Sequence, residues 1–123
     1  MERDVIMRIE ERVVDSVAVV AVHGDIVLNG VGPELADVVR ALLDQDRRGI
    51  LLDVGDVRYV DSGGIGELME ALTAARHRGG SIKLLGVTKR LNDLLVITKL
   101  LNVFECFSNE REAIDSFARA LAH

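Results

Sequence analysis

A serine stands at the predicted start of a helix, in the sequence Asp61-Ser62-Gly63-Gly64-Ile65-Gly66. The backbone N–H groups of a first helical turn lack partners within the helix, and the helix dipole favours negative charge there. A phosphate carried by the Ser62 hydroxyl would therefore lie in a receptive electrostatic environment. Ser62 is a candidate phosphorylation switch, and its simpler alternative role is that of a helix N-cap, worth about 1 kcal/mol.

The glycines that follow Ser62 favour a structural role over nucleotide binding. Gly63, Gly64 and Gly66 allow a tight turn and close packing of the helix. Their spacing matches neither the GxGxxG dinucleotide motif nor the GxxxxGK[ST] phosphate loop. We therefore do not expect this turn to hold a nucleotide.

Three carboxylates, Asp53, Asp56 and Asp61, lie near the predicted end of a central strand, where open α/β sheets bind their ligands. One alternative is a two-component receiver phosphorylated on aspartate. Receivers also need an acidic pair after the first strand and a lysine after a late strand, and the sequence offers neither at a suitable place. Another alternative is a small-ligand module that uses these carboxylates, and ligand-dependent thermal stabilisation would reveal it.

Basic residues fall at the predicted ends of helices. Arg47-Arg48 and Arg76-His77-Arg78 are predicted at helix C-termini, where the dipole favours cations. Lys89 and Arg90 instead open a helix, where positive charge opposes the dipole, so we favour contact with a partner for this pair.

The sequence predicts no metal site and no cofactor. His23, His77 and His123 have no metal-ligand spacing with one another or with Cys106. Cys106 lies in the largely apolar stretch 103–107, which favours a small buried hydrophobe over a reactive thiol, and a lone cysteine fits a reducing cytoplasm.

Composition predicts one domain over residues 1–123. Of the 123 residues, 49% are apolar, enough for one sizeable core. A net charge of −5 and 3% aromatic residues argue against a nucleic-acid partner. The start lacks a signal-peptide pattern, and the apolar run 17–22 is too short to span a bilayer. We expect a cytoplasmic protein, a monomer or weak dimer, that does not bind membranes.

Hydrophobic periodicity predicts the order β-β-α-β-α-β-α-β-α, hence an α/β fold with a mostly parallel mixed sheet of about five strands and four helices. Two initial strands without a helix between them predict one antiparallel pair at an edge. The predicted strands cover residues 7–10, 17–22, 50–54, 82–87 and 103–107. The predicted helices begin near Pro33, Ser62, Thr88 and Asn109. Each has an apolar stripe, formed in the same order by Leu35, Val38, Val39, Leu42 and Leu43; by Ile65, Leu68, Met69 and Leu72; by Leu91, Leu94 and Leu95; and by Ala113, Ile114, Phe117 and Leu121.

From about Met7 onward the chain resembles STAS domains, and among them the bacterial anti-sigma factor antagonists. The segment 57–66 is similar to the family pattern of a hydrophobic residue, Asp, Ser, a small residue, Gly, Leu or Ile, and Gly. Further similarities are Gly24-Asp25-Ile26, Gly79-Gly80 and Lys89-Arg90-Leu91. Two positions depart from the pattern: Gly63 replaces the usual Ser or Thr, and Val27 stands where an acidic residue is common.

The resemblance implies a binding protein rather than an enzyme. Its unphosphorylated form would bind an anti-sigma factor that is a serine kinase and so release a sigma factor, whereas phosphorylation of Ser62 would switch it off and a phosphatase would reset it. The implied partner-binding residues are Asp25, Asp61, Ser62, Gly63, Gly64, Ile65, Glu67, Lys89 and Arg90. The alternative is a constitutive STAS scaffold in a larger assembly, stressosome-like or associated with lipid transport, in which Ser62 only caps a helix.

Overall fold

The strands and helices follow one another in the predicted order. The computed structural model describes residues 7–27 and 34–121, apart from the side chains of residues 119–121. The described elements are β1 (Met7–Val14), β2 (Val17–Ile26), α1 (Leu35–Asp44), β3 (Gly49–Val60), α2 (Ser62–His77), β4 (Ser81–Leu85), α3 (Lys89–Ile97), β5 (Glu105–Phe107) and α4 (Glu110–Leu121). The predicted α/β class and its element order are thus confirmed.

The described strands form one mixed sheet with the order β1-β2-β3-β4-β5. The edge strand β1 is antiparallel to β2, and every later neighbouring pair is parallel. The predicted antiparallel pair at an edge is therefore correct. Because parallel strands joined by helices all run the same way, the carboxyl ends of β2 and β3 reach the same edge of the sheet.

Helices cover both faces of the sheet. Apolar residues of α1, α2 and α3 pack with one face in the larger core cluster. On the opposite face α4 buries Ala113, Ile114 and Phe117 against Val19 and Leu51. Covering on both faces explains why β2 begins with an uninterrupted apolar run. Within the described residues, no helix is long and apolar enough to cross a membrane.

The central strand β3 is longer than predicted. The sequence indicates a strand over 50–54 that ends at Gly55, yet β3 runs from Gly49 to Val60. Its second half remains paired with β2, which itself continues from Val22 to Ile26 through two register irregularities. Pairing with a neighbour thus overrides the local turn preference of glycine and aspartate. As a consequence, Asp53 and Asp56 lie inside the strand rather than at its end.

Other boundaries also differ from the prediction. β1 continues past Glu10, β4 ends at Leu85, and β5 is shorter than predicted. β4 ends where Gly86 takes a φ of +74°, a left-handed conformation that glycine adopts readily. Pro33 lies outside the described residues, and so does the side chain of Leu121.

The prediction that basic residues lie at helix C-termini is wrong for Arg47-Arg48 and correct for the basic residues at the end of α2. Helix α1 ends at Asp44 with no basic residue in its last turn, so Arg47 and Arg48 lie beyond the helix. In α2 the last turn does contain Arg76 and His77, as predicted. Asp46 explains the early end of α1, because a φ of +63° at this residue interrupts the helical path.

A buried lysine supports the face that α4 covers. Lys83 of β4 is 5% exposed, and its Nζ donates a hydrogen bond to Ser116 Oγ at 2.8 Å. The same Nζ lies 3.6 Å from Glu105 Oε1 and 4.6 Å from the centre of the Phe117 ring. These contacts satisfy the ammonium group and fix α4 against the sheet.

Candidate functional site

The Ser62 turn is held by the residue before the serine. Asp61 is the N-cap of α2, with Oδ1 accepting a hydrogen bond from Gly64 N at 2.7 Å. Its own N–H donates to the carbonyl of Ile26 at the end of β2, with an N···O distance of 3.3 Å. The N-cap role considered for Ser62 is therefore wrong, because Asp61 fills it. Ser62 becomes the first residue of the helix instead.

Ser62 presents its hydroxyl to solvent. The residue is exposed, and within residues 7–27 and 34–121 its hydroxyl makes no hydrogen bond. A first-turn position next to an anchored cap gives an accessible hydroxyl at the positive end of the helix dipole. Such a group can accept a phosphoryl group without breaking an existing contact.

Replacing Asp61 by Ala should lower the free energy of unfolding by about 1 kcal/mol, since Gly64 N then loses its acceptor. Asp61→Asn should retain most of this stability, because an amide oxygen can also cap a helix. Urea unfolding of the two variants and wild type checks the prediction. Equal losses in both variants would show that the negative charge, rather than the cap, is what matters.

The glycines of the turn differ in their surroundings. Gly64 is buried, and a Cβ at this position would lie 1.9 Å from the carbonyl oxygen of Ile26. Gly66 is exposed, with nothing within 4 Å of such a Cβ. Close packing at Gly64 matches the structural role expected of these glycines. Of the residues in the implied partner surface, Gly64 and Ile65 are buried, whereas Gly63 is half-buried.

Glu67 joins the Ser62 helix to its neighbour. Its Oε1 accepts a hydrogen bond of 2.9 Å from Leu35 N, the first residue of α1. Burial raises the pKa of Glu67, and the nearby carboxylates of Glu34 and Glu70 add to the effect, although the bond from Leu35 opposes it. The resemblance implies that Glu67 contacts a partner, but the structure makes it a half-buried cap for α1.

The variant Glu67→Gln should be at least as stable as wild type at about pH 7. Gln keeps an oxygen for Leu35 N–H but has no charge to desolvate. Because folding raises the Glu67 pKa, the folded state holds the proton more tightly, so the contribution of Glu67 to stability falls as pH rises from about 4 to about 7. The stability difference should therefore grow from about pH 4 to about pH 7 in urea unfolding. A difference that shrinks over this range would contradict the assignment.

A second group lies at the carboxyl edge of β2 and β3. Asp25, Arg58, Tyr59 and Arg90 line an open cavity of about 350 Å³. Asp25 is 2% exposed, and its Oδ1 lies 3.8 Å from Arg58 Nε. The resemblance implies that Asp25 contacts a partner, but the structure buries this carboxylate next to Arg58. Arg58 and Tyr59 carry no role in the sequence-based interpretation.

The basic pair at the start of α3 is divided between two environments. Thr88, near which this helix is predicted to begin, caps it by accepting a hydrogen bond from Leu91 N at 3.2 Å. Lys89 pairs with Asp93 on the same helix at 3.0 Å. Arg90 is exposed and borders the cavity. Only Arg90 of the pair thus has its charge available within the described part of the chain.

The predicted group of three carboxylates does not form one site. Asp53 Oδ1 accepts a hydrogen bond from Gly55 N, and Asp61 caps α2. Asp56 Oδ2 lies 2.6 Å from His23 Nδ1, and this hydrogen bond lowers the pKa of Asp56. His23 Nε2 is 3.0 Å from Glu10 Oε1, so the imidazole bridges β1 and β3. Each carboxylate is used locally.

The described residues give little support for a metal site or for a reactive thiol at Cys106. Over the described ranges, no group of three or more His, Cys, Asp or Glu side chains is arranged to hold a metal ion. Cys106 is exposed, which corrects its expected burial, because β5 is a short edge strand. Partial desolvation nevertheless raises the thiol pKa, so little of the reactive thiolate form is present at neutral pH.

The fold and the Ser62 turn agree with a match to a known family. The family model described as Mlab, STAS domain matches residues 9–104. The chain belongs to this STAS family.

Solved structures from several bacteria share the fold. An anti-sigma factor antagonist from Mycobacterium paratuberculosis is 17% identical, with a TM-score of 0.75 over 94% of this chain and 97% of that one. The phosphorylated form of the Bacillus cell fate determinant SpoIIAA is 18% identical, with a TM-score of 0.66 over 91% and 99%. A sulfate transporter family protein from Wolinella succinogenes is 21% identical, with a TM-score of 0.68 over 90% and 91%. These TM-scores show a shared fold.

Proposed function

We propose that this protein is an anti-sigma factor antagonist that is controlled by phosphorylation of Ser62. The unphosphorylated form binds an anti-sigma factor, itself a serine kinase, and frees the sigma factor. Phosphorylation by that kinase ends the binding, and a phosphatase restores it. The chain acts as a kinase substrate and binding partner in the cytoplasm and supplies no catalytic group of its own.

The observation that carries the proposal is the exposed Ser62 hydroxyl directly after the Asp61 cap. The cap is made by another residue, so phosphorylation leaves the helix start intact. The orphan N–H groups and the helix dipole favour the added negative charge. Modification therefore changes the surface that a partner meets while the fold is retained.

The proposed contact surface includes the exposed residue Ser62, half-buried Gly63, and Lys89 and Arg90 at the start of α3. Gly64, Ile65, Asp61 and Glu67 support this surface through burial and capping. Because Gly63 lacks the hydroxyl common at this position, Ser62 is the one hydroxyl of the sequence 61–66 that a kinase can modify.

The proposal is tested by intact-mass spectrometry after incubation with ATP, magnesium and the candidate kinase from the same genome. Wild type should gain one phosphoryl group, and Ser62→Ala should gain none. With the kinase shown to be active on another substrate, an unmodified wild-type protein would reject the switch.

A second candidate is a constitutive STAS scaffold in a larger assembly. It is favoured by the family description, Mlab, and by the fold shared with a sulfate transporter family protein. Gene neighbourhood separates the two candidates. An adjacent GHKL-type kinase gene supports the switch, and an adjacent transporter operon supports the scaffold.

A further inference from the structure

The cavity next to the Ser62 turn carries more positive than negative charge at its rim. Arg58 and Arg90 line it from two different elements, β3 and the start of α3. The buried carboxylate of Asp25 lies 3.8 Å from Arg58 Nε and partly compensates that guanidinium. This asymmetry leaves Arg90 as the principal source of uncompensated charge.

Arg90 makes no side-chain hydrogen bond or ion pair with any residue in the ranges 7–27 and 34–121, whereas its neighbour Lys89 pairs with Asp93. Its position near the N-terminus of α3 adds an unfavourable interaction with the helix dipole. An anion in the cavity would offset both effects. The guanidinium can bind a carboxylate through two parallel hydrogen bonds.

Tyr59 supplies an apolar wall to the same cavity. It is 43% exposed, unusual for a large hydrophobic residue of a central strand. Tyr and Arg are, together with Trp, the residue types enriched among the energetically dominant positions of protein interfaces. The combination of one aromatic ring and two guanidinium groups therefore resembles a binding pocket for a side chain.

The backbone connects this cavity to the Ser62 turn. Tyr59 pairs with Asp25 across β3 and β2, and the next pair, Val60 and Ile26, leads directly to Asp61. The Asp61 N–H then bonds to the Ile26 carbonyl. Only Val60 and Asp61 separate Tyr59 of the cavity from Ser62 along the chain, so one partner surface can reach both.

We propose that this cavity receives an acidic side chain, Asp or Glu, of the protein partner that binds the Ser62 surface. Arg90 and Arg58 bind the carboxylate, Tyr59 packs against its methylene groups, and Asp25 orients Arg58. The inference rests on the proposed function. It adds that the partner presents an acidic side chain to the cavity, in addition to its contact with the Ser62 surface.

The test measures the affinity of the unphosphorylated protein for the candidate anti-sigma kinase by isothermal titration calorimetry. Arg90→Glu should weaken binding about 10- to 100-fold. Tyr59→Ala should weaken it about 3- to 10-fold. Arg58→Gln should also weaken binding. Glutamine is chosen over a charge reversal because a second acid beside buried Asp25 would disturb folding.

Arg76→Glu is the matched control. It makes the same charge change on an exposed residue at the other end of α2, about 20 Å along the helix axis from Ser62. Its affinity should stay within about threefold of wild type. Unfolding midpoints of all variants verify that each is folded.

The outcomes separate this inference from the function on which it rests. A wild-type protein that does not bind the kinase would overturn both. Wild-type binding with equal affinities for Arg90→Glu and Arg76→Glu would overturn the cavity assignment alone. If a free nucleotide stabilises the isolated protein against heat and Arg90→Glu abolishes this effect, the cavity binds a small anionic ligand. That result would also overturn the assignment of the cavity to a partner's side chain. Rescue of Arg90→Glu by an acid-to-arginine change in the kinase would establish the contact.

Discussion

Phosphorylation of Ser62 is expected to weaken binding to the anti-sigma factor by about two to three orders of magnitude. The phosphate adds a charge of about −1.5 to −2 and a strongly hydrated group at the centre of the proposed contact surface. A desolvation and repulsion cost of about 3 to 4 kcal/mol accounts for the loss, because each 1.4 kcal/mol changes affinity about tenfold.

The fold itself should tolerate the modification. Ser62 is the first residue of α2, where negative charge interacts favourably with the helix dipole. The unfolding midpoint of the phosphoprotein should therefore equal or exceed that of the unmodified protein. This combination of lost binding and retained stability distinguishes an interface switch from a switch that works by unfolding.

Calorimetric titration of the kinase with phosphorylated and unphosphorylated protein measures the effect directly. Ser62→Asp tests the contribution of charge and should weaken binding at least about tenfold, whereas Ser62→Ala should bind like wild type. A Ser62→Asp variant that binds as tightly as wild type would argue strongly against the switch.

Replacing Gly64 by Ala should lower the free energy of unfolding by about 1 to 3 kcal/mol. The added methyl carbon would lie 1.9 Å from the carbonyl oxygen of Ile26 and 2.7 Å from its carbonyl carbon. Both are backbone atoms of β2, so no side chain can rotate to make room. The start of α2 must instead move away from the strand, which would also displace Ser62.

Gly66→Ala is the matched control for this prediction. It adds the same methyl group two residues later in the same helix, where nothing lies within 4 Å. Alanine is favoured over glycine in a helix by up to about 1 kcal/mol, so this variant should be as stable as wild type or more stable. Urea unfolding of both variants measures the contrast. If the two variants are equally stable, the close approach of α2 to Ile26 is not a constraint on the fold.

The element order could be predicted from the sequence. Apolar spacing identifies each helix, and its stripe is buried in α1 and α2 much as expected, because a 3.6-residue period places those side chains on one face. The apolar start of β2 likewise indicates a strand covered on both faces. The resemblance implies phosphorylation of Ser62, whereas the position of this serine alone favours a helix cap.

The tertiary structure decided which side chains support the site and which remain available. Asp61 rather than Ser62 caps the helix, Glu67 caps α1, and Asp25 is buried beneath Arg58. Each of the latter two contacts joins residues more than thirty positions apart. Local sequence preferences do not indicate such pairs, because strand register and helix packing bring them together. The sequence by itself therefore determined the elements and their order, whereas the three-dimensional packing set the charge and exposure of the Ser62 surface.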